Sequence, residues 1–121
     1  MSDILLYDLN DGIATITLNR PDRYNAFNND LSFEFIALLK KVKRDPEVRV
    51  VVITGAGKAF CSGQDLKDVQ GKKRSIGESV EKRYNPMIRL VTGTEKPFIC
   101  KLNGVAAGAG ASLAMACDFC I

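Results

Sequence analysis

Strand-type and helix-type hydrophobic patterns alternate along this chain. Residues 4–9 and 13–18 are β-rich runs, and the Asn10-Asp11-Gly12 stretch between them indicates a hairpin. Apolar residues then recur at three- and four-residue steps, which predicts a helix over residues 28–44 with Asn and Asp at its capping positions. Asp45-Pro46 should end that helix, because a proline disfavours helical geometry in the residue before it.

The rest of the chain repeats a unit of strand, turn and helix. Val48–Thr54 is a nearly continuous β-branched run, as expected for a strand buried on both faces. The later segments predict, in order, a short helix at Asp65–Val69, a polar loop at 70–77, a helix at Glu78–Thr92 bent or divided by Pro86, a strand at Pro97–Leu102, a helix at Gly108–Ala116 and a strand from Asp118. Recurring units of this kind indicate an α/β layered fold with parallel neighbouring strands. The length of 121 residues fits one small domain.

Two glycine-rich strand-to-helix junctions are the main candidates for chemistry. The first runs from Val50 to Leu66 and the second from Pro97 to Leu113. Each combines an apolar run, small residues that let a ligand approach the backbone, and a helix start with unpaired N–H groups. If the junctions face one another, two main-chain donors could hold one anionic oxygen. For either junction alone, the alternative is a tight turn that binds nothing.

Neither junction matches a nucleotide-binding fingerprint. Phe60 stands where a dinucleotide-binding turn would have its third glycine. Lys58 is followed by Ala59 and not by Ser or Thr, so the phosphate loop of NTPases is absent as well.

The charge and cysteine content excludes several function classes. Seventeen Lys and Arg against fourteen Asp and Glu give a dispersed net charge of +3, and the densest clusters, 40–44 and 72–74, read as solvated surface. Nucleic-acid binding is not indicated, whereas a small phosphorylated ligand would suit a few exposed cations.

The four cysteines read as reduced thiols of a cytoplasmic protein, since no signal peptide is recognisable. The absence of histidine argues against a His-containing triad or metal site, and no apolar run is long enough to span a membrane.

Three ordered motifs resemble the crotonase family, also called the enoyl-CoA hydratase/isomerase superfamily. They are Asn19-Arg20-Pro21 followed by Asn25-Ala26-Phe27, the segment Gly55–Leu66, and the segment Asn103–Gly110. The resemblance covers essentially all 121 residues and implies a crotonase-like ββα spiral, of which this chain would be the N-terminal part. Within the family, the segments Phe60–Leu66, Tyr84-Asn85-Pro86 and Val105–Ala111 look like the branch that isomerises ring-1,2-epoxyphenylacetyl-CoA.

The resemblance also implies roles for particular residues. The backbone N–H groups of Gln64 and Ala109 would form an oxyanion hole for the thioester carbonyl of an acyl-CoA and would stabilise an enolate. Asp65 could contact the ligand or cap a helix. The implied coenzyme A and substrate-binding positions are Arg23, Tyr24, Ala59, Phe60, Gly63, Gln64, Asp65, Leu66, Gly108 and Ala109.

The sequence departs from the family pattern at the acid/base positions. Ser112 stands where hydratases of the family have their first glutamate, which disfavours enoyl-CoA hydration. The other carboxylate of the family lies beyond residue 121, and Asp118 reads as a structural partner. The resemblance therefore favours isomerisation of an aromatic-ring epoxide or unsaturated acyl-CoA, with little turnover expected of these 121 residues alone.

Further expectations concern metals, cofactors, assembly and the surface, and three alternatives stay open. We expect no metal, no cofactor other than the coenzyme A of the substrate, a homo-oligomer (a trimer or a dimer of trimers), an exposed sheet edge and uncovered apolar surface. The alternatives are another crotonase-type enzyme such as a hydratase or thioester hydrolase, a coenzyme A-binding module without catalysis, and a structural fragment.

Overall fold

The part of the chain that the structure describes forms a five-stranded sheet with a second, two-stranded sheet beside it. We describe residues 3–63 and 85–121 of a computed structural model. In chain order the strands are β1 (Leu5–Asn10), β2 (Ile13–Leu18), β3 (Val50–Gly55), β4 (Ala59–Cys61), β5 (Phe98–Cys100), β6 (Val105–Ala106) and β7 (Phe119–Cys120). The helices are α1 (Asn29–Arg44), α2 (Asn85–Thr92) and α3 (Ala109–Ala116), and a short 3-10 helix spans Pro21–Arg23.

The larger sheet has the order β1-β2-β3-β5-β7, and the predicted parallel neighbours are confirmed. β1 and β2 form the antiparallel hairpin, whereas β2–β3, β3–β5 and β5–β7 are all parallel. The hairpin closes through Asp11 and Gly12, whose φ angles of 51° and 81° are both positive, as a type I′ turn requires. β4 and β6 pair in parallel as a separate small sheet that the sequence patterns did not predict.

The first helix follows its sequence signals closely. The Asn28 side chain accepts the Leu31 N–H at 2.9 Å, so it is the N-cap, and the helix ends before Asp45. Phe35, Leu38, Leu39 and Val42 are buried in the core, which confirms the predicted apolar face. Leu31 is buried as well.

The central strand differs from its prediction. Val51 and Ile53 of β3 are fully buried, whereas Val50 and Val52 are only half-buried. Alternation of this kind is typical of a sheet with one well-covered face. The prediction that this strand is buried on both faces is therefore wrong for the described chain.

Two later predictions are met in part or fall outside the described residues. The described helix α2 begins at Asn85 with Pro86 in its first turn, and Met87 and Val91 on its inner face are buried. The predicted short helix at 65–69 and loop at 70–77, together with the first part of the helix expected over 78–92, lie outside the described residues.

The chain has an exposed apolar edge, as expected. In the described part of the chain β7 pairs with β5 on one side and has no strand on the other. Large apolar side chains with more than 60% of their surface exposed lie on β6, on α3 and at this edge; they are Val105, Met115, Phe119 and Ile121.

Candidate active site

The turn after β3 is held in place by two asparagines from different parts of the chain. Asn25 is fully buried, its Oδ1 accepts the Arg20 N–H at 2.7 Å, and its Nδ2 donates to Ala56 O and Ala59 O at 2.9 and 2.8 Å. Its φ of 57° is left-handed, a conformation that asparagine tolerates better than most residues. The asparagine of the first motif therefore shapes the first junction from within the core.

Asn103 holds the same turn from the solvent side. Its Oδ1 accepts the Gly55 N–H at 3.1 Å, and its Nδ2 donates to Gly57 O and Ala59 O at 3.1 and 3.0 Å. Because Asn103 begins the glycine-rich part of the second junction, these bonds tie one junction to the other. The sequence reasoning quoted both asparagines within motifs but assigned neither of them a role.

Close backbone approach then packs the second junction against the first. A Cβ on Gly104 would lie 1.9 Å from Lys58 O, and a Cβ on Gly110 would lie 2.2 Å from Cys61 O. Both distances are far shorter than a van der Waals contact, so each position requires glycine. The Ala107 N–H also donates to Cys61 O at 3.1 Å, which extends the pairing of β4 with β6.

The two junctions meet at Gly63 and Ala109. A Cβ on Gly63 would lie 3.0 Å from Ala107 O and 3.5 Å from the Ala109 nitrogen. Gly63 has a φ of 106°, which side chains rarely adopt, and its lack of a side chain lets its backbone approach Ala107 O and the Ala109 nitrogen closely. The structure therefore brings these two predicted positions together.

The Ala109 amide has the properties of an anion-binding donor. Ala109 is the first residue of α3 after the N-cap Gly108, and Gly108 offers no capping side chain. Among the described residues the Ala109 N–H finds no hydrogen-bond acceptor, as expected for a helix start. The positive end of the helix dipole favours negative charge at the same place. The second proposed donor, Gln64, and the neighbouring Asp65 and Leu66 lie outside the described residues.

Arg23 and Tyr24, the residues expected beside the nucleotide of the ligand, lie next to the first junction. The Ser62 N–H donates to Tyr24 O at 3.0 Å, and the Phe27 N–H donates to Gly63 O at 2.6 Å. Both predicted side chains are exposed, with 59% of Tyr24 accessible, so they are available to a ligand.

Two other predicted contact residues point into the protein. Ala59 is 4% exposed and Phe60 is fully buried in the hydrophobic core. A ligand at these two positions would therefore contact the main chain, because both side chains pack inside the protein.

The acid/base positions offer no base in this part of the fold. Ser112 lies in the first turn of α3, and its side chain is exposed. The Asp118 carboxylate accepts the Phe98 N–H at 2.8 Å, and the Asp118 N–H donates to Phe98 O at the same distance. The expectation that Asp118 is a structural partner is confirmed.

Burial makes the cysteine nearest the junction unreactive. Cys61 is fully buried, and this burial raises the pKa of its thiol to about 11, although a hydrogen bond from the Gly63 backbone acts in the opposite direction. A thiol with this pKa is protonated at neutral pH, and its full burial keeps it out of reach of electrophiles in solution.

Comparison with known proteins adds the family. A sequence model described as "Enoyl-CoA hydratase/isomerase" matches residues 8–121. The chain belongs to the enoyl-CoA hydratase/isomerase family. The crotonase-like fold is shown as well, because the enoyl-CoA hydratase structure from Mycobacterium avium subsp. paratuberculosis K-10 superposes with a TM-score of 0.86 at 31% identity, over 99% of this chain and 47% of that one.

The curated relatives include more than one activity. The 1,2-epoxyphenylacetyl-CoA isomerase of Escherichia coli K12 is 45% identical over the whole of this chain and 48% of its own length. The short-chain-enoyl-CoA hydratase of Clostridium acetobutylicum is 36% identical over 88% of this chain and 41% of its own length. The chain thus spans about half the length of the curated relatives it matches.

No helix within 3–63 and 85–121 has the length and apolar character needed to cross a bilayer. The same residues contain no group of three or more side chains placed to hold a metal ion.

Proposed function

We propose that the two junctions bind the thioester carbonyl oxygen of an acyl-CoA in an oxyanion hole. The observation that carries the proposal is the close approach of Gly63 to Ala109, whose N–H starts a helix and has no acceptor among the described residues. The Ala109 N–H is one donor of the hole. The Gln64 N–H, which follows Gly63 directly in the sequence, is the other.

The reaction we propose is isomerisation of an aromatic-ring epoxide or unsaturated acyl-CoA through an enolate. As the enolate forms, negative charge moves onto the carbonyl oxygen and both hydrogen bonds strengthen. One such donor is typically worth about 3 kcal/mol in a transition state. The identity of 45% to 1,2-epoxyphenylacetyl-CoA isomerase supports this reaction, and Ser112 in place of a glutamate supports it over hydration.

The proposed residues bind and polarise the substrate but do not move a proton. The Asp118 carboxylate is held by the Phe98 N–H, and Ser112 offers a hydroxyl and not a carboxylate. Binding, and not turnover by these 121 residues, is therefore the property that tests the proposal.

The test replaces the amide donor without removing the helix. Ala109→Pro deletes the N–H at the first helical position, where proline is well tolerated. Calorimetry compares an acyl-CoA thioester with the matching S-alkyl-CoA thioether, which has a methylene group in place of the thioester carbonyl. We expect the unaltered chain to prefer the thioester, and Ala109→Pro to weaken thioester binding about tenfold, as loss of one hydrogen bond implies.

A matched control places proline at the first residue of another helix. Asn29→Pro alters α1 at the equivalent position, and the preceding Asn28 is extended (ψ −177°), which suits a following proline. This variant should keep the preference for the thioester. If the unaltered chain binds thioester and thioether equally, or if Ala109→Pro retains the preference, the oxyanion hole is not where we place it.

A further inference from the structure

Two cysteines outside the proposed site face each other at the edge of the larger sheet. β5 and β7 are parallel neighbours, and Cys100 is directly in register with Cys120. Neighbouring strands lie about 4.8 Å apart, which is within the range of roughly 4.4–6.8 Å between the Cα atoms of disulfide-bonded cysteines. Side chains in register on adjacent strands extend from the same face of a sheet, so the two thiols lie side by side.

The two thiols differ sharply in accessibility. Cys100 is fully buried, whereas Cys120 is exposed. Burial, together with a hydrogen bond to Cys120, raises the pKa of Cys100 to about 12. An oxidant from solution therefore reaches Cys120 first, while Cys100 lies buried beside it as a protonated thiol.

We propose that Cys100 and Cys120 are a redox modification site that hydroperoxides convert to an intramolecular disulfide. The Cys120 thiolate attacks one peroxide oxygen, the O–O bond breaks, and a sulfenic acid and an alcohol (or water) result. The Cys100 sulfur then attacks the sulfenic sulfur, the S–S bond forms, and the sulfenic oxygen leaves as water with the Cys100 proton. Two thiols are oxidised by two electrons, and one peroxide is reduced.

Cys117 is the rival partner, since it forms a C-x-x-C spacing with Cys120. Its thiol donates to Leu113 O at 3.5 Å, one turn back on α3, and burial raises its pKa to about 12. Cys117 follows the last residue of α3, whereas Cys100 is the strand neighbour of Cys120. The strand register thus favours Cys100 as the partner.

The disulfide would fasten the edge strand close to the second junction. The Leu102 N–H already donates to Ile121 O at 2.7 Å, and the Ile121 N–H donates to Cys100 O at 2.9 Å. A covalent link at this place leaves these backbone bonds intact and replaces the hydrogen bond between the two thiols. The inference does not depend on acyl-CoA binding.

Peptide mapping of the oxidised chain tests the proposal. The 121-residue protein is treated with limiting hydrogen peroxide, its remaining thiols are alkylated, and it is digested with trypsin without reduction. Cys100 lies in the peptide 90–101, because the Lys96-Pro97 bond resists trypsin, and Cys117 and Cys120 both lie in 102–121. We expect these two peptides to be cross-linked, fragmentation to assign the link to Cys120, and dithiothreitol to release them.

Two serine variants separate the partners. Cys120→Ser alters an exposed side chain and should abolish the cross-link, whereas Cys117→Ser should retain it. Three results would overturn the proposal: a cross-link that survives in Cys120→Ser, a covalent dimer through Cys120, or a sulfinic acid at Cys120 while Cys100 is still free to be alkylated after denaturation. Fragmentation of the unaltered chain decides the point even if a variant does not fold.

Discussion

Asn25 and Asn103 make a matched pair for measuring what holds the first junction. Each side chain forms three hydrogen bonds to nearby backbone, and both donate to the same oxygen, Ala59 O. They differ in burial, because Asn25 is fully buried and Asn103 is exposed. Replacing each by alanine removes the same number of bonds from two different environments.

The expected costs differ because water can replace only the exposed bonds. Asn25→Ala loses one buried and two part-buried hydrogen bonds at about 1 kcal/mol each and leaves the Arg20 N–H and Ala56 O without this partner. Alanine at a φ of 57° adds about 1 kcal/mol, so the total is about 4 kcal/mol. Asn103→Ala should cost about 1 kcal/mol, since solvent hydrates the groups it leaves.

Urea unfolding followed by circular dichroism measures both losses under one set of conditions. Asn25→Gly is the control for the left-handed backbone, because glycine adopts it freely, and its cost should fall between the two alanine variants. Equal losses for Asn25→Ala and Asn103→Ala would refute the reasoning that burial decides the strength of these bonds.

Three further measurements test other contacts. Gly110→Ala places a Cβ 2.2 Å from Cys61 O and should cost about 3 kcal/mol in thermal unfolding; an unchanged Tm would contradict the packing of α3 on β4. Lys96→Met removes an ammonium that donates to two carbonyl oxygens at the end of α1 and should cost about 1 kcal/mol in urea, whereas Lys43→Met, at an exposed position of the same helix end, should cost less. Burial raises the pKa of Cys61 to about 11, above its value in the unfolded chain. The stability that this thiol contributes is therefore fully present below about pH 8.5 and is lost as the pH rises to about 11. The free energy of unfolding, measured against pH in urea, should therefore fall over that window, and a Cys61→Ala variant that falls as steeply would contradict the assignment.

Elements with local signals could be predicted from the sequence to within a few residues. The helix α1 carries its cap, its apolar period and its proline stop within one segment, and the hairpin turn is specified by Asp11 and Gly12 alone. Each signal acts between residues close in sequence, so no knowledge of distant partners is needed.

The contacts that build the candidate site could not be predicted in this way. β4 and β6 are three and two residues long, and they pair across more than 40 positions of sequence through backbone groups that every residue type has. A glycine indicates that another part of the chain packs closely against it, but it does not identify that part. The contacts of Gly104 with Lys58 O and of Gly110 with Cys61 O could therefore not be predicted from the sequence. The same holds for Asn25. An asparagine is compatible with a left-handed turn, but the sequence does not show which backbone oxygens its side chain will bond.

The amide proton of Ala109 is the most direct probe of the proposed function. In nuclear magnetic resonance titrations of the ¹⁵N-labelled chain, we expect an acyl-CoA thioester to move this proton downfield, because it gains a carbonyl acceptor. Free coenzyme A, which lacks the thioester carbonyl, should leave the Ala109 resonance unshifted. An Ala109 resonance that ignores the thioester, or that moves equally with free coenzyme A, would contradict the claim that the two junctions bind a thioester oxygen.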